Sequence, residues 1–242
     1  DTQEEAQFRE QVRQFLASNA ELKSADNAAL PAVDVPEHVA RAKAWQHKKY
    51  AAGFAAITWP QAFGGRALPP IFQVIYKHEE EQYLVPGGVF EIGLGMCIPT
   101  FMKHGAAELA MPYVKRAITG EEIWCQLFSE PASGSDLAGL RTRAVRDGDE
   151  WVINGQKIWT SGAHFSDYGV IVTRSDPDVP KHMGLTYFFV DMRARGVEVR
   201  PIHQVSGESN FNEVYFTDVR IPDAQRLGEV GQGWQVSLTT LM

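Results

Sequence analysis

Residues 125–144 read CQLFSEPASGSDLAGLRTRA. An apolar run from Trp124 to Phe128 stops abruptly at Ser129-Glu130-Pro131-Ala132-Ser133-Gly134-Ser135-Asp136. Strand-forming residues that end in hydroxyls, acids and small residues mark a strand running into a tight loop. Two readings of that loop stand on the residues alone. It is a capped turn, or Gly134 between two serines presents backbone N–H groups to an anion, with the Ser135 hydroxyl as a further donor. Glu130 and Asp136 suit bracing of the loop better than phosphate binding. The stretch also divides the chain: the pattern before it is helical, and the pattern after it is strand-like.

Upstream, Thr2-x-x-Glu5 is a capping-box pattern, and Phe8, Val12, Phe15 and Leu16 follow at helical spacing. Asp34-Val35-Pro36-Glu37 opens a second helix, with Pro36 suited to its first position. That helix runs through Val39, Ala42, Trp45 and Tyr50 and stops at Gly53. After a loop at Trp59–Gly65, helical pattern resumes at Pro69 or Pro70 and continues to about Tyr83. Residues 105–118 read as helix again, with a break expected at Pro112. The acids Glu79, Glu80 and Glu81 read as a solvated helix face.

Downstream, Asp147-Gly148 between Arg141–Arg146 and Glu150–Ile153 is a hairpin signal, and Asn154-Gly155 reads as another turn. Val170–Thr173, Leu185–Val190 and Val214–Phe216 are short strand-like runs. Near Gly231-Gln232-Gly233-Trp234 the pattern turns helical, and the sequence stops at Met242 inside that amphipathic start. The expected fold is therefore α+β. A helical domain occupies residues 1–122, a middle β domain of barrel or orthogonal-sandwich type 123–230, and the beginning of a further helical domain 231–242. The first boundary falls at Thr119-Gly120-Glu121-Glu122.

The chain has 242 residues, 44% of them hydrophobic, and a net charge of −7. That balance opposes nucleic-acid binding, which needs a basic face. Cys97 and Cys125 are the only cysteines and have no paired spacing, so neither a disulfide framework nor a zinc site is expected. Both read as buried and reduced, which suits the cytoplasm. No apolar run approaches the roughly 20 residues that span a bilayer, and the start DTQEEAQFRE is too polar for a signal peptide. Gly93-Leu94-Gly95 lacks the rest of a dinucleotide fingerprint, and there is no P-loop, nucleophile elbow or HExxH. The histidines are scattered; His164 and His203 read as ordinary hydrogen-bonding residues.

A second informative stretch is Asn154-Gly155-Gln156-Lys157-Ile158-Trp159-Thr160-Ser161. An indole beside two hydroxyls suits a flat, heteroatom-rich ring, and it equally suits a core tryptophan at a strand end. Taken together, Ser129-Glu130-Pro131-x-x-Gly134-Ser135-Asp136 and Asn154-Gly155-x-Lys157-x-Trp159-x-Ser161 closely resemble the signature of the acyl-CoA dehydrogenase family. The loop Trp59-Pro60-x-x-Phe63-Gly64-Gly65 resembles that of the family's N-terminal domain. Phe211-x-Glu213-Val214-x-Phe216-x-Asp218-Val219-x-Ile221-Pro222 and Gly231-x-Gly233-Trp234 resemble the end of its middle domain and the start of its C-terminal one.

The resemblance implies an FAD enzyme that oxidises an acyl-CoA thioester to the 2,3-enoyl-CoA, a carboxylate removing the α proton while the β hydride passes to flavin N5. By position it places Gln126, Leu127, Phe128 and Ser129 along the flavin ring. Gly134 and Ser135 fall at the pyrophosphate, Trp159 flanks the ring, Ser161 lies near N5, and Thr160 belongs to the same cofactor site. Ser135, Lys181 and His182 match the substrate's CoA end; Arg141 and Arg143 have no assigned role and read as solvated. Ser133 stands where the family usually has alanine. No acid in this sequence matches the family's base, which the resemblance puts in a C-terminal helical domain beyond residue 242. The implied partners are an acyl-CoA, an electron-transfer flavoprotein as acceptor, and further subunits in a homo- or hetero-oligomer. An acyl-CoA oxidase and a non-catalytic partner subunit of a heteromeric dehydrogenase share the same motifs. A eukaryotic member would be expected in the mitochondrial matrix.

Overall fold

The structure, a computed structural model, describes residues 1–24, 33 and 35–242. Asp34, expected to open the second helix, lies outside the described residues. The chain forms two compact units, Asp1–Val89 with Val114–Glu121, and Phe90–Tyr113 with Glu122–Met242. The architecture is α+β.

In the first unit, α1 (Gln3–Asn19) is opened by the expected capping box: Thr2 Oγ1 accepts from the Glu5 N–H and Glu5 Oε2 from the Thr2 N–H. Its Phe8, Val12 and Leu16 are buried. A short strand β1 (Glu21–Leu22) follows, then α2 (Pro36–Ala51), which has Pro36 in its first turn. Next come α3 (Pro70–Glu80) and β2 (Tyr83–Leu84), which pairs with β1. Phe8, Val12 and Leu16 pack with Trp45, Phe54, Ile57, Phe72, Ile75 and Tyr76 in one core.

Glu79 and Glu80 are not on a solvated face. Both are buried, and each is satisfied by partners that the local sequence does not show. Arg9 and Arg13 donate to the Glu79 carboxylate at 2.8 Å, while Trp45, Tyr76 and Lys77 donate to Glu80. Only Glu81 is exposed as expected.

The second unit begins with a π turn (Gly93–Cys97) leading into α4 (Ile98–His104). Helix α5 (Ala107–Ile118) then runs unbroken through Pro112, contrary to the expected break. Pro112 is exposed. It removes a single N–H, and a helix can bend away from a proline on its open side. After the turn at Thr119-Gly120, β3 (Trp124–Leu127) starts the sheet.

The remaining strands are β4 (Arg143–Asp147), β5 (Glu150–Ser161), β6 (Tyr168–Arg174), β7 (Leu185–Asp191), β8 (Val197–Ile202), β9 (Phe211–Pro222) and β10 (Arg226–Leu227). Helix α6 (Gly233–Leu241) follows. The strand order is β10-β7-β6-β4-β5-β9-β8, with β3 parallel to β6. The sheet is open; the closed barrel that the sequence left possible does not form. Strands β4 and β6 share one residue pair, Arg143 with Arg174, so the sheet is two blades joined at a narrow seam. Leu127, Ile171 and Phe188 from one blade and Ile153, Val214 and Val219 from the other fill a common core.

Asn154-Gly155 is not a turn. Strand β5 continues through it against β9, with a register shift between Ile153 and Gly155. Asn154 and Asp218 exchange two hydrogen bonds there, and a Cβ on Gly155 would lie 2.5 Å from Thr142 Oγ1. Glycine is therefore required where β4 approaches. Strand β8 carries Pro201 on a sheet edge, where a missing donor is tolerated. Among the described residues no helix is long and apolar enough to cross a membrane.

Candidate functional site

The two signature stretches meet at the end of β3. Strand β5 carries a second irregularity, between Lys157 and Thr160. There the Ile158 N–H donates to Ser129 O at 2.9 Å. The bulge puts Trp159 at φ +59, a left-handed conformation that a bulky residue rarely adopts, and leaves its ring 58% exposed. Trp159 is thus not a core residue. Its ring touches Phe211 edge-on at a centroid distance of 6.3 Å.

Beneath the bulge lies a buried ion pair. Lys157 is fully buried, and its Nζ donates to Phe128 O at 3.0 Å and to Glu130 Oε1 at 2.9 Å. Glu130 also accepts the Arg141 N–H at 2.6 Å and the Thr142 N–H at 2.9 Å. It braces the loop, as its position in the sequence suggested. Burial alone would push the Glu130 carboxyl up, but the Lys157 charge and the donors on Thr142 and Arg141 outweigh it and hold the carboxyl below the usual range. Burial pulls Lys157 down to about 8, with Glu130 opposing the shift. The sequence reading gave Lys157 no role. Its inward place in the β5 alternation, in phase with Trp151 and Ile153, was the available signal.

The expected cofactor residues fall into three sets. Leu127 and Phe128 are core side chains, and Phe128 packs edge-on against Tyr187, so only their backbones could face a ligand. Gln126 and Thr160 are anchored between strands, and Gln126 Nε2 and Thr160 Oγ1 are buried without a hydrogen-bond partner. Ser129, Gly134, Ser135, Trp159 and Ser161 are half-buried or exposed. Nothing lies within 4 Å of a Cβ built on Gly134, so the turn there opens outward. Ser133 instead turns in, its Oγ donating to Asp136 O.

The loop at 180–183 reaches the same region. Lys181 Nζ pairs with Asp136 Oδ1 at 2.7 Å, with both side chains at least half exposed, and the His182 ring meets the Trp234 ring at 4.6 Å. Arg174 ties this loop to the site by donating to Lys181 O, Ala138 O and Leu140 O. Arg141 and Arg143 are exposed. His164 bonds to the buried Asn212, whose Nδ2 donates to Thr160 O, and His203 bonds to Ser209. Asn212, missed in the sequence, thereby holds the far end of the bulge. Cys97 and Cys125 are free and buried, and burial pushes the Cys125 thiol up to about 12.

The β unit thus carries the exposed Trp159 and the half-buried Ser129 and Ser161 on two loops joined by hydrogen bonds. Residues 2–121 match the acyl-CoA dehydrogenase N-terminal domain and residues 125–219 the acyl-CoA dehydrogenase middle domain. The chain belongs to the acyl-CoA dehydrogenase family. It is 38% identical over 243 residues to acyl-CoA dehydrogenase IpdE1 of Mycobacterium tuberculosis, which covers 99% of this chain and 62% of that protein. It is 44% identical over 189 residues to acyl-CoA dehydrogenase FadE34 of the same organism, over 78% of this chain and 26% of that one. Among solved structures, the Tcur3481-Tcur3483 steroid ACAD superposes with a TM-score of 0.81 at 30% identity, over 100% of this chain and 61% of that one. The ChsE4-ChsE5 complex from Mycobacterium tuberculosis gives 0.81 at 29%, over 100% and 60%. The chain thus spans less than two thirds of the length of these relatives.

Proposed function

We propose that this chain is the cofactor-facing part of an FAD-dependent acyl-CoA dehydrogenase that converts an acyl-CoA thioester to the 2,3-enoyl-CoA. The observation that carries the reading is the stapled pair of signature loops, with Ser129 and Ser161 half-buried and Ser135 and Trp159 exposed on them. Those residues fit the group: three hydroxyl donors and an exposed indole match a heteroatom-rich ring with a pyrophosphate tail. When bound, FAD supplies the hydride acceptor. Ser129 binds the pyrimidine edge with help from the backbone of Gln126, Leu127 and Phe128. Gly134 and Ser135 hold the pyrophosphate, and Trp159 covers the ring. Thr160 fixes the strand, and Ser161 donates near N5. Ser135, Lys181 and His182 take the CoA end of the substrate. The α proton goes to a carboxylate beyond residue 242.

The domain reading accompanies this function: a helical domain over 1–122, a middle β domain over 123–230, and the start of a C-terminal helical domain over 231–242. The steroid-type relatives support a bulky, ring-bearing acyl group as substrate. An electron-transfer flavoprotein is the proposed acceptor.

The test uses the full-length protein. Its chromophore is released by denaturation and compared with FAD and FMN, and acyl-CoA thioesters are then added to the intact enzyme while flavin bleaching is followed. Release of FAD and bleaching with enoyl-CoA formation support the reading; FMN, or no flavin after FAD supplementation, opposes it. A second reading, a partner subunit in a heteromeric dehydrogenase, is favoured by relatives solved as complexes of two named chains. A glutamate at the base position of the full-length chain decides for the catalytic subunit. Peroxide release during turnover would instead make it an oxidase.

A further inference from the structure

We propose that Lys157 and Glu130 are a positioning couple for the cofactor pocket, fixing Ser129 and Trp159 in one relative placement. The inference rests on the FAD reading above and adds two residues to it that touch neither cofactor nor substrate.

Three hydrogen bonds join the signature loops, and all start from two adjacent residues. Lys157 Nζ reaches Phe128 O and Glu130 Oε1, and the Ile158 N–H reaches Ser129 O. They grip three consecutive residues, with Ser129 in the middle. Directly after them the chain enters the strained conformation at Trp159 and resumes pairing at Thr160 with Asn212. The Ser129 hydroxyl and the Trp159 ring are therefore set by the same clamp. Glu130 extends it to the start of β4 through the Arg141 and Thr142 amides, and the glycine at 155 lets Thr142 approach closely enough.

A stability role alone accounts poorly for this chemistry. Burying an ammonium and a carboxylate costs desolvation that their attraction only partly returns, and apolar replacements of similar shape are often as stable. A methylene chain would fill the Lys157 slot, but it could not hold the Phe128 carbonyl. A strained backbone such as that at Trp159 persists only where its surroundings over-determine it. Two residues away, the pair supplies that constraint.

The experiment compares full-length wild type with the double variant Lys157→Met/Glu130→Gln, which removes both charges and keeps both shapes. Each FAD-free protein is melted, and FAD is then titrated while its visible absorption bands are recorded. The expected result is a melting temperature close to wild type, FAD affinity at least tenfold weaker, and displaced visible bands. A merely structural pair would lower the melting temperature and leave the bands of the folded, loaded fraction unchanged. Wild-type affinity and unchanged bands in the folded double variant overturn the inference. If that variant does not fold, Glu130→Gln alone decides. It still accepts the Arg141 or Thr142 amide, and displaced bands with at least threefold weaker FAD support the couple, whereas wild-type binding overturns it. Wild-type protein that binds no FAD at all would overturn the FAD reading first, and the couple with it.

Discussion

The Ile158 N–H donates to Ser129 O at 2.9 Å, so the two signature loops are joined by backbone as well as by side chains. The register shift between Lys157 and Thr160 puts Trp159 in a left-handed conformation with its ring mostly in solvent. The geometry accordingly favours presenting the indole over packing it.

Replacing Trp159 tests that balance. The left-handed conformation costs a bulky residue about 1–2 kcal/mol, and glycine removes that cost while adding about 0.5–1 kcal/mol of unfolded-state entropy. Trp159→Gly is expected to change folding stability by less than about 1 kcal/mol while weakening FAD binding about tenfold. The buried Trp151, replaced in the same way, should lose about 3–5 kcal/mol. Denaturant melts of both variants and an FAD titration of the first check this. A collapse of Trp159→Gly would mean that the ring packs.

Ser161 lies two residues after Trp159, is half-buried and pairs with Phe211 through its backbone; in the FAD reading its hydroxyl donates to the cofactor. Ser161→Ala removes one hydrogen bond worth about 0.5–1.5 kcal/mol, or more if the partner gains charge. Flavin reduction by substrate should slow about 3–10-fold, with a melting temperature within about 2 °C of wild type. An unchanged rate with a lowered melting temperature would make the hydroxyl structural.

What the sequence revealed and what it hid follow from range. The capping box at Thr2, the proline start at Pro36 and the Asp147-Gly148 hairpin depend on neighbours within a few residues, and all form. Asn154-Gly155 is a turn by local rules. It became a bulge because β9 pairs across it, and that strand lies some 60 residues later in the chain. The edge strand β8 was hidden by its polar, only partly buried alternation and by Pro201. In the site, the exposed hydroxyls could be named from their motif. The Lys157–Glu130 pair could not be, because its meaning depends on burial, and a charged residue in a strand ordinarily reads as an outward one.

Glu79 shows the same limit in the helical unit. Its carboxylate is buried between Arg9 and Arg13, which come from 70 and 66 residues earlier in the chain. Glu79→Ala would remove the carboxylate that Arg9 and Arg13 share, while Arg9 keeps its bonds to Asp1. Arg13 is 54% exposed and can turn to water, so the loss is placed at about 2 kcal/mol rather than the larger value of a wholly buried pair. Glu81→Ala, on the exposed side, should stay within about 0.5 kcal/mol. Chemical denaturation of the two variants separates them. Equal effects would return the acidic run to a solvated face.

The last prediction concerns acid stability at the end of β9. Asp223 accepts from Arg226 at 3.0 Å and from Trp151 Nε1 at 2.7 Å, tying the chain after β9 to the core of the β4–β5 hairpin. The Arg226 and Trp151 donors hold its carboxyl down at about 2, against 3.8 for a free one. Between those values the unfolded chain binds the proton more readily than the folded one. The contribution is therefore complete above about pH 4 and fades as pH falls toward 2. With the side chain 27% exposed, solvent screening reduces it to about 1–2 kcal/mol. Asp223→Asn keeps the shape and removes the charge, so it should be less stable than wild type by that amount at pH 7. The gap should narrow through pH 3 and close near pH 2. Urea midpoints of the two proteins at pH 7, 4, 3 and 2 measure the gap directly. A gap that stays constant over that range would assign the difference to shape and would refute the carboxylate's part in it.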